Sequence, residues 1–333
     1  MASWASPGVK QPMIRKLLGL LFFLAAVFIL LPLFIEVTGR KDLYYVMTSV
    51  ALLSIASAGV WLTFYIGRIN IGQGAYALMG GYVSAILVMS YSWSFWLTLP
   101  IAGLFCAGVS ILIGMPILRL RGVYFAMVTL VLTEVARLLA LALPITNGAK
   151  GITSIPLPGS ISIFGVTLVP DFVQVENPRI AFYYVAVVLM VVCYAGVYRL
   201  VNSRMGHLCM SLQQNEELAS SIGVNIAWLR VVAYSISSFC GGVSGAVFVA
   251  ATQSIYPSSF TVTDSVNFML NCFLGGLGYV FGPMLGTLVL YLGWNLLFST
   301  GQFQLLIYSA VMIILMLVLP NGLLSLGSWR RKG

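Results

Sequence analysis

The sequence predicts an all-α integral membrane protein, and three observations support this fold class. Of its 333 residues, 60% are apolar and 8% are charged, and the mean hydropathy is +1.01. One globular core of this length cannot bury so much apolar surface. Most apolar residues fall in runs of about twenty, the length that an α-helix needs to cross a hydrocarbon core of ~30 Å. Basic residues lie mainly at the ends of these runs.

Ten membrane spans are predicted from the apolar windows. They lie near 17–35, 43–66, 74–90, 95–118, 123–143, 181–198, 231–253, 266–277, 282–298 and 304–320. The first follows Lys10, Arg15 and Lys16 and ends without a small-x-small cleavage site. It is therefore interpreted as a retained helix and not as a cleaved signal peptide.

The distribution of basic residues orients these spans. With a cytoplasmic N-terminus, twelve Lys and Arg fall on cytoplasmic joints and four on outer joints, and Arg137 is within a span. This positive-inside bias places both termini and the 199–230 segment in the cytoplasm, and the 144–179 segment in the periplasm. Residues 1–333 are expected to form a single transmembrane domain.

The eighth and ninth spans are short and are separated by a glycine-rich stretch, Gly275 to Pro283. One long tilted helix is the alternative, but it would move the basic C-terminus to the outside. Four spans (2 to 5), one odd span and four more (7 to 10) then follow the first. Such an arrangement predicts an inverted repeat, a common plan for transporters.

The outer segment 144–179 is rich in Pro, Gly and Ser and contains the β-favouring run SISIFGVTLV. It is expected to form a lid or a short hairpin. A flexible spacer is the alternative.

No catalytic, metal or nucleotide site is predicted. The five cysteines lie singly, the one His is in a cytoplasmic segment, and no G-x-S-x-G motif occurs. The stretch Gly148 to Gly151 lacks the G-K-[ST] ending of a phosphate loop. Nucleic-acid binding is not expected, because the aromatic residues alternate with Leu and Val, not with Lys and Arg. Energy for any transport must therefore come from another chain or from an ion gradient.

Glu134 and Arg137 are the charges that lie deep within a span. Their i, i+3 spacing puts them on one helix face, where they can pair. Charges inside a membrane are expected to face the protein interior. Three roles are open: a structural pair, a part of the translocation pathway or its gate, or a proton relay.

Amide and hydroxyl groups within the spans are further candidates for the pathway. Asn70, Gln73 and Tyr76 belong to a glycine-rich stretch, and Asn267 and Asn271 are four residues apart. Such groups suit either a polar solute or a hydrogen bond between helices. Both roles are open at this stage. Gly241-Gly242-x-x-Gly245, in contrast, has the small-x-x-x-small spacing of close helix packing.

The 199–230 segment is polar and about thirty residues long, and it is expected to form a folded cytoplasmic projection. A turn is predicted at Arg204-Met205-Gly206, followed by a short helix. Glu216 and Glu217 near its start suit the helix dipole, and Gly223 suits its end.

Leu218 and Ile222 are four residues apart and would share a face of this helix that could enter a cleft on a partner. The residues predicted to contact that partner are Arg204, Gly206, Glu216, Glu217, Leu218, Ile222 and Gly223.

Several motifs in this order resemble those of LivM-type permeases, the membrane subunits of branched-chain amino-acid ABC importers. They cover roughly residues 43–326. They are Asn70-Ile-Gly-Gln-Gly-Ala-Tyr76, Leu118-Arg-Leu-Arg-Gly-Val-Tyr-Phe-Ala126, Glu134-x-x-Arg137, Arg204-Met-Gly206, Gln214-Asn-Glu-Glu217, Ile222-Gly-Val-Asn225, Gly275-Gly-Leu-Gly278 and Pro320-Asn-Gly-Leu323.

The resemblance implies a BtuC-like permease architecture in a bacterial inner membrane. It also implies a LivH-like permease partner, two LivF/LivG-like ATPases that hold the ATP and Mg, and a periplasmic binding protein. The 199–230 segment would then be the ATPase-coupling loop, and this chain would carry no cofactor or enzymatic activity of its own.

The sequence departs from the family pattern in places that bear on the substrate. Gln73 stands where His is frequent, and Ile145 to Gly151 differs from the common Thr-Gly-Gly-x-Asn-Gly. Relatives move amino acids, urea, amides or aromatic acids, so branched-chain amino acids are the leading expectation. The competing classes are a secondary transporter or channel for a small polar solute, and an intramembrane enzyme.

Overall fold

The computed structural model describes residues 31–39, 41–120, 122–163, 166–169, 172, 177–221, 223–319 and 322–325. Within these ranges the chain is mostly helical, which confirms the all-α prediction. Most of the first predicted span, 17–35, and the basic C-terminus from Arg330 lie outside the described residues, so their placement stays a prediction.

The described residues form twelve α-helices and four short β-strands. The helices are α1 (Leu31–Thr38), α2 (Asp42–Tyr65), α3 (Gln73–Tyr91), α4 (Phe95–Ile117), α5 (Val123–Ala142), α6 (Pro178–Val201), α7 (Arg204–Gln214), α8 (Glu216–Ser221), α9 (Ile226–Thr252), α10 (Val262–Gly275), α11 (Gly282–Leu296) and α12 (Gln304–Val318). The strands are β1 (Ile152–Thr153), β2 (Ile161–Ile163), β3 (Val166–Val169) and β4 (Ser254–Ile255).

The chain divides into residues 1–45 and residues 46–333. In the described part of the first unit, α1 is followed by a turn at Gly39, and α2 begins at Asp42. The hydroxyl of Tyr44 donates a hydrogen bond to the carbonyl oxygen of Pro32, 3.5 Å away.

Seven helical segments in the described ranges are long and apolar enough to cross a membrane. They are α2, α3, α4, α5, α6, α9 and the C-terminal segment Gly301–Ser325 that contains α12. Six of them coincide, within about five residues at each end, with predicted spans 2 to 7. Hydropathy therefore located these helices well, because each carries its apolar surface continuously along its length.

The centre of the second unit is α9, which packs closely against α3 and α4. Glycines make this approach possible. A Cβ atom on Gly80 would overlap the backbone of Gly242, and a Cβ atom on Gly245 would overlap the backbone of Ala77. The small-residue spacing at 241–245 thus has the packing role that the sequence predicted.

Helix α2 runs antiparallel to α9. The Ser244 hydroxyl donates to the carbonyl oxygen of Leu52 at 2.7 Å, and a Cβ atom on Gly59 would lie 2.6 Å from the carbonyl oxygen of Ser237. Along α2 the contacts advance from 52 to 59 while along α9 they retreat from 244 to 237. The two helices therefore point in opposite directions.

Helix α2 runs parallel to α10. Asn271 Nδ2 donates to Ser57 Oγ at 3.0 Å, and Trp61 Nε1 donates to the carbonyl oxygen of Leu277, just beyond α10, at 2.9 Å. Residue numbers increase in the same direction along both helices, from 57 to 61 and from 271 to 277. These contacts place the C-terminal end of α10 beside the C-terminal half of α2.

The stretch after α9 contains two helices and not one. Helices α10 and α11 have 14 and 15 residues, about 21 and 22 Å at 1.5 Å per residue. A Cβ atom on Gly275 would overlap the backbone of Gly282, so the chain turns back tightly between them. The alternative of one long tilted helix is therefore excluded, and each helix is shorter than a full membrane crossing.

The segment between α5 and α6 contains short 3₁₀ turns and the antiparallel hairpin β2–β3. Strand β1 pairs antiparallel with β4, which follows α9. The hairpin prediction for this segment is confirmed. The β1–β4 pairing also attaches the first part of the 144–179 segment to the end of α9. The described residues of this segment are therefore not a free spacer.

Candidate functional site

The loop between α2 and α3 carries a buried amide cluster. Gly67 ends α2 with a φ of 75°, and Gln73 begins α3 with its side chain fully buried. Gln73 Nε2 donates to the carbonyl oxygen of Ser237 at 2.9 Å, and Gln73 Oε1 accepts from Ser237 Oγ at 3.2 Å. Asn70 Nδ2 donates to the same Oε1 at 3.4 Å, and Asn70 Oδ1 accepts from the backbone N–H of Gly72 at 2.9 Å.

Tyr76 lies one turn further along α3 and is also fully buried. Its hydroxyl donates to the hydroxyl of Tyr234 at 3.0 Å, and the two rings meet edge to face at 5.7 Å. The structure thus brings Asn70, Gln73 and Tyr76 together with α9. Their polar groups are bonded within the chain, which is the geometry of helix packing.

Glu134 and Arg137 form a bidentate pair on α5. Arg137 Nε lies 2.9 Å from Glu134 Oε2, and Arg137 Nη2 lies 2.6 Å from Glu134 Oε1. The side chains are 30% exposed at Arg137 and 42% exposed at Glu134. Val131, Val135 and Leu138 are exposed around them.

The pairing agrees with the sequence. The expectation that the pair faces the protein interior is not met within the described residues, where both side chains are partly exposed. Helical spacing relates the two charges to each other; it does not say which side of α5 the rest of the chain covers. The pair lies on a side of α5 that the described residues leave partly exposed.

Asn267 and Asn271 line one cavity of about 640 Å³ between α10, α11 and α12. Tyr291 and Tyr308 line it from the other two helices. The amide of Asn271 is bonded to Ser57 at 3.0 Å. The predicted common face of the two asparagines therefore borders a space large enough for a small solute.

The 199–230 segment, hereafter the coupling segment, is folded onto the helix ends. Cys209, Leu212 and Ala219 from α7 and α8 pack in one buried cluster with Leu62 and Leu229 of the membrane helices. Burial raises the pKa of the Cys209 thiol to about 11. The projection predicted from the polar sequence thus shares a small core with the ends of the membrane helices.

The predicted turn at Arg204-Met205-Gly206 is wrong, because these residues form the first turn of α7. The chain bends one step earlier, at Asn202 and Ser203. A Cβ atom on Gly206 would overlap the backbone of Val201, so this glycine permits the tight corner between α6 and α7. Arg204 is exposed.

Helix α8 is a single short helix with defined ends. Asn215 Oδ1 accepts from the backbone N–H groups of Glu217 at 3.0 Å and Leu218 at 3.1 Å, which is an N-cap. Gly223, with a φ of 83°, follows the helix and donates to the carbonyl oxygen of Ser220. Leu218 is 67% exposed. Ile222 lies outside the described residues, so its shared face with Leu218 stays a prediction.

The two adjacent acids of α8 differ in their surroundings. Glu217 is exposed, whereas Glu216 contacts Arg230 at 2.7 Å and Arg68 at 3.9 Å. In the sequence alone, both arginines indicate only the orientation of the chain in the membrane. A signal was present, since Glu216 and Glu217 are the acids among the cytoplasmic joints, facing twelve basic residues.

Comparison with known proteins gives a consistent result. Residues 43–320 match the family described as branched-chain amino acid transport system / permease component. The chain is 32% identical over 274 residues to the high-affinity branched-chain amino acid transport system permease protein LivM of Escherichia coli K12, covering 78% of this chain and 64% of that relative. The matched region thus spans somewhat less than two thirds of that relative's length.

More distant similarities extend to other permeases. The ribose import permease protein RbsC of Escherichia coli K12 is 22% identical over 91% of this chain and 92% of its own length. A probable LivH of Methanocaldococcus jannaschii is 23% identical over 84% and 90%. No solved structure matches the chain. The family match covers most of the sequence, and this chain belongs to the family of permease components of branched-chain amino acid transport systems.

Proposed function

We propose that this chain is the membrane-spanning translocation subunit of an ATP-driven importer, and that it takes up branched-chain or related amino acids. The observation that carries the proposal is the folded coupling segment, which exposes Leu218 on a short capped helix. An exposed apolar side chain on such a helix fits a cleft in a partner protein. Family membership and the identity to LivM, higher than that to RbsC, support the solute class.

The partners follow from the same family membership. LivF/LivG-like ATPases would bind ATP and Mg and grip the coupling segment, and a LivH-like permease would complete the pathway. A periplasmic binding protein would deliver the solute. Family membership supports a bacterial inner-membrane location, and the positive-inside bias supports cytoplasmic positions for both termini.

We propose about ten spans with an inverted repeat of spans 2 to 5 and 7 to 10, in a BtuC-like arrangement. The packing of span 2 (α2) on span 7 (α9) supports this. Adding 185 to the residue number maps Leu52 onto Ser237 and Gly59 onto Ser244. The contact between Leu52 and Ser244 is thereby mapped onto the contact between Ser237 and Gly59.

The neighbouring helices support the same symmetry. Span 2 runs parallel to span 8 (α10), and span 7 runs parallel to span 3 (α3), since Gln73 contacts Ser237 and Gly81 contacts Gly245. An inverted repeat requires these two pairs to be equivalent.

Within this architecture, the uncovered side of α5 would border the pathway between the two permease subunits. Charges in a membrane are expected to face protein or water, and Glu134 and Arg137 are partly exposed on this chain. Asn267 and Asn271 would line a second wet space at the α10–α12 cavity. Asn70, Gln73 and Tyr76 would hold the helices that flank the pathway and would not contact the solute.

The whole chain, 1–333, would act as one permease domain. The 144–179 segment would be a periplasmic lid, and its attachment to β4 at the end of α9 supports this role. The 199–230 segment would be the ATPase-coupling loop.

Substitution of Leu218 tests the proposal. The chain, a LivH-like permease and the ATPases are co-expressed, and ATPase recruitment by affinity capture and uptake of labelled leucine into proteoliposomes are measured. Leu218→Asp should reduce recruitment roughly tenfold or more, because an anchor residue is lost. Ser220→Asp adds the same charge to the same short helix, two residues on and therefore on another side, and should recruit normally.

Wild-type recruitment and uptake by Leu218→Asp would remove the main support for the proposal. Ion-gradient-driven uptake by this chain alone, without ATPases, would favour a secondary transporter or channel instead. A symmetrical elution peak in size-exclusion chromatography verifies that each variant is folded.

A further inference from the structure

Glu216 connects the coupling segment to two other elements through buried arginines. Its Oε2 atom lies 2.7 Å from Nη2 of Arg230 and 3.9 Å from Nη2 of Arg68. Arg68 is 4% exposed and Arg230 is 7% exposed. These three residues are called the charge triad below. They join α8, the loop after α2 and the N-terminal part of α9 at one carboxylate.

The triad resists separation of these elements. Two guanidinium groups share one carboxylate in a largely buried place, so loss of the carboxylate would leave like charges close together with little water to screen them. A displacement of α8 is therefore expected to carry Arg68 and Arg230 with it. Glu217, the next residue, is exposed and lies outside this arrangement.

One arm of the triad leads to α5. Arg68 lies three residues before Ile71, whose backbone N–H donates to Thr129 Oγ1 at 3.1 Å. Thr133 Oγ1 donates to the carbonyl oxygen of Ile71 at 3.5 Å. Thr133 directly precedes Glu134, so the loop that holds Arg68 is bonded to the helix that carries the exposed ion pair.

The other arm leads to α3. Arg230 lies seven residues, about two helical turns, before Ser237 on α9. Ser237 bonds the amide of Gln73 through both its carbonyl oxygen and its hydroxyl. The two arms thus meet again at the amide cluster where α3 begins.

We infer that the charge triad transmits movement of the coupling segment to α5 and α3, and that Arg68, Glu216 and Arg230 are positioning residues for transport. This inference rests on the proposed function. It also changes the role expected for Glu216: the carboxylate binds within the chain and is not a contact for the ATPase. On α8, Leu218 would then contact the ATPase, and Glu216 would transmit the movement of the helix.

The ratio of leucine transported to ATP hydrolysed tests the inference in the complete reconstituted complex with its binding protein. Glu216→Gln should lower this ratio about fivefold or more while ATPase recruitment stays normal. Asp42→Asn, the same acid-to-amide change outside the coupling segment and the triad, should keep the wild-type ratio. Glu216→Asp keeps the charge but shortens the side chain, and it should lower the ratio as well; it decides the matter if Glu216→Gln does not fold.

Two results would overturn the inference. One is a wild-type ratio for the Glu216 variants. The other is a loss of ATPase recruitment in them, as expected for Leu218→Asp, because Glu216 would then be a docking contact. A wild-type complex that takes up no branched-chain or related amino acid would overturn the proposed function, and the inference with it, and is recognised before any variant is compared.

Discussion

The side chain of Gln73 is completely buried, whereas that of Glu134 is 42% exposed, although both residues belong to helices of membrane-spanning length. Gln73 bonds across to another helix, at Ser237. Glu134 bonds within its own helix, to Arg137. The first region ties the chain together, and the second neutralises a charge on a surface that the described residues leave partly exposed.

The difference separates contacts that the described residues complete among themselves from a surface that the proposed second permease would cover. Where helices meet within the chain, glycines and amides fill the contact and satisfy the polar groups. On the exposed side of α5, valine and leucine surround an ion pair that no other element covers in the described residues. Charges in such a place are expected to face protein or water, which the proposed second permease would supply.

The largest effect is expected from Gly245→Ala, in the contact between α3 and α9 to which Gln73 also belongs. The added methyl group would overlap the backbone of Ala77, and a helix backbone cannot move aside as a flexible side chain can. We expect a loss of about 2 kcal/mol of stability, visible as a lower melting temperature of the purified chain.

Gly196→Ala is the matched control, since a Cβ atom there has open space around it and alanine favours helices. Its melting temperature should be unchanged or higher. A Gly245→Ala variant as stable as Gly196→Ala would mean that α3 and α9 are not in close contact.

A smaller effect in the same region is expected from Gln73→Leu. Leucine fills a similar space but leaves the Ser237 hydroxyl and the Asn70 amide without their acceptor. The expected loss is about 1 kcal/mol, since hydrogen bonds between membrane helices contribute modestly. Gln304→Leu removes an exposed amide bond to Trp294 and should change the melting temperature less. Equal shifts in the two variants would contradict the expectation that the buried hydrogen bonds of Gln73 stabilise the chain more than an exposed one does.

The helices were predictable from the sequence because lipid imposes a simple rule on them. Apolar runs located α2 to α6 and α9 to within a few residues, and the glycines at 275–282 indicated the break between α10 and α11. The β2–β3 hairpin followed from its β-branched alternation. Each of these signals lies within one short stretch of sequence.

Contacts between distant residues were not predictable in this way. The sequence paired Glu134 with Arg137 because they share a helix turn, but it could not tell which side of α5 is covered. Arg68 and Arg230 were interpreted only by their positions at span ends, and their meeting at Glu216 depends on how α8 folds back. The predicted turn at 204–206 failed because Gly206 suggests a turn, whereas here it allows two helices to meet at a corner.

The smallest effect on the isolated chain is expected from the ion pair. Glu134→Gln, Arg137→Gln and the double variant should leave the melting temperature of the purified chain nearly unchanged, because partly exposed pairs contribute little.

In the complete complex the same side of α5 would be covered. There, either single substitution leaves one charge without its partner, and uptake should fall by about tenfold or more, whereas the double variant should retain more activity than either single variant. Double-mutant cycles for melting temperature and for leucine uptake test this together. Losses of uptake that simply add would show that the two residues act independently in the assembled pathway. A large fall in the melting temperature of the isolated chain would show instead that this side of α5 is already covered without a second permease.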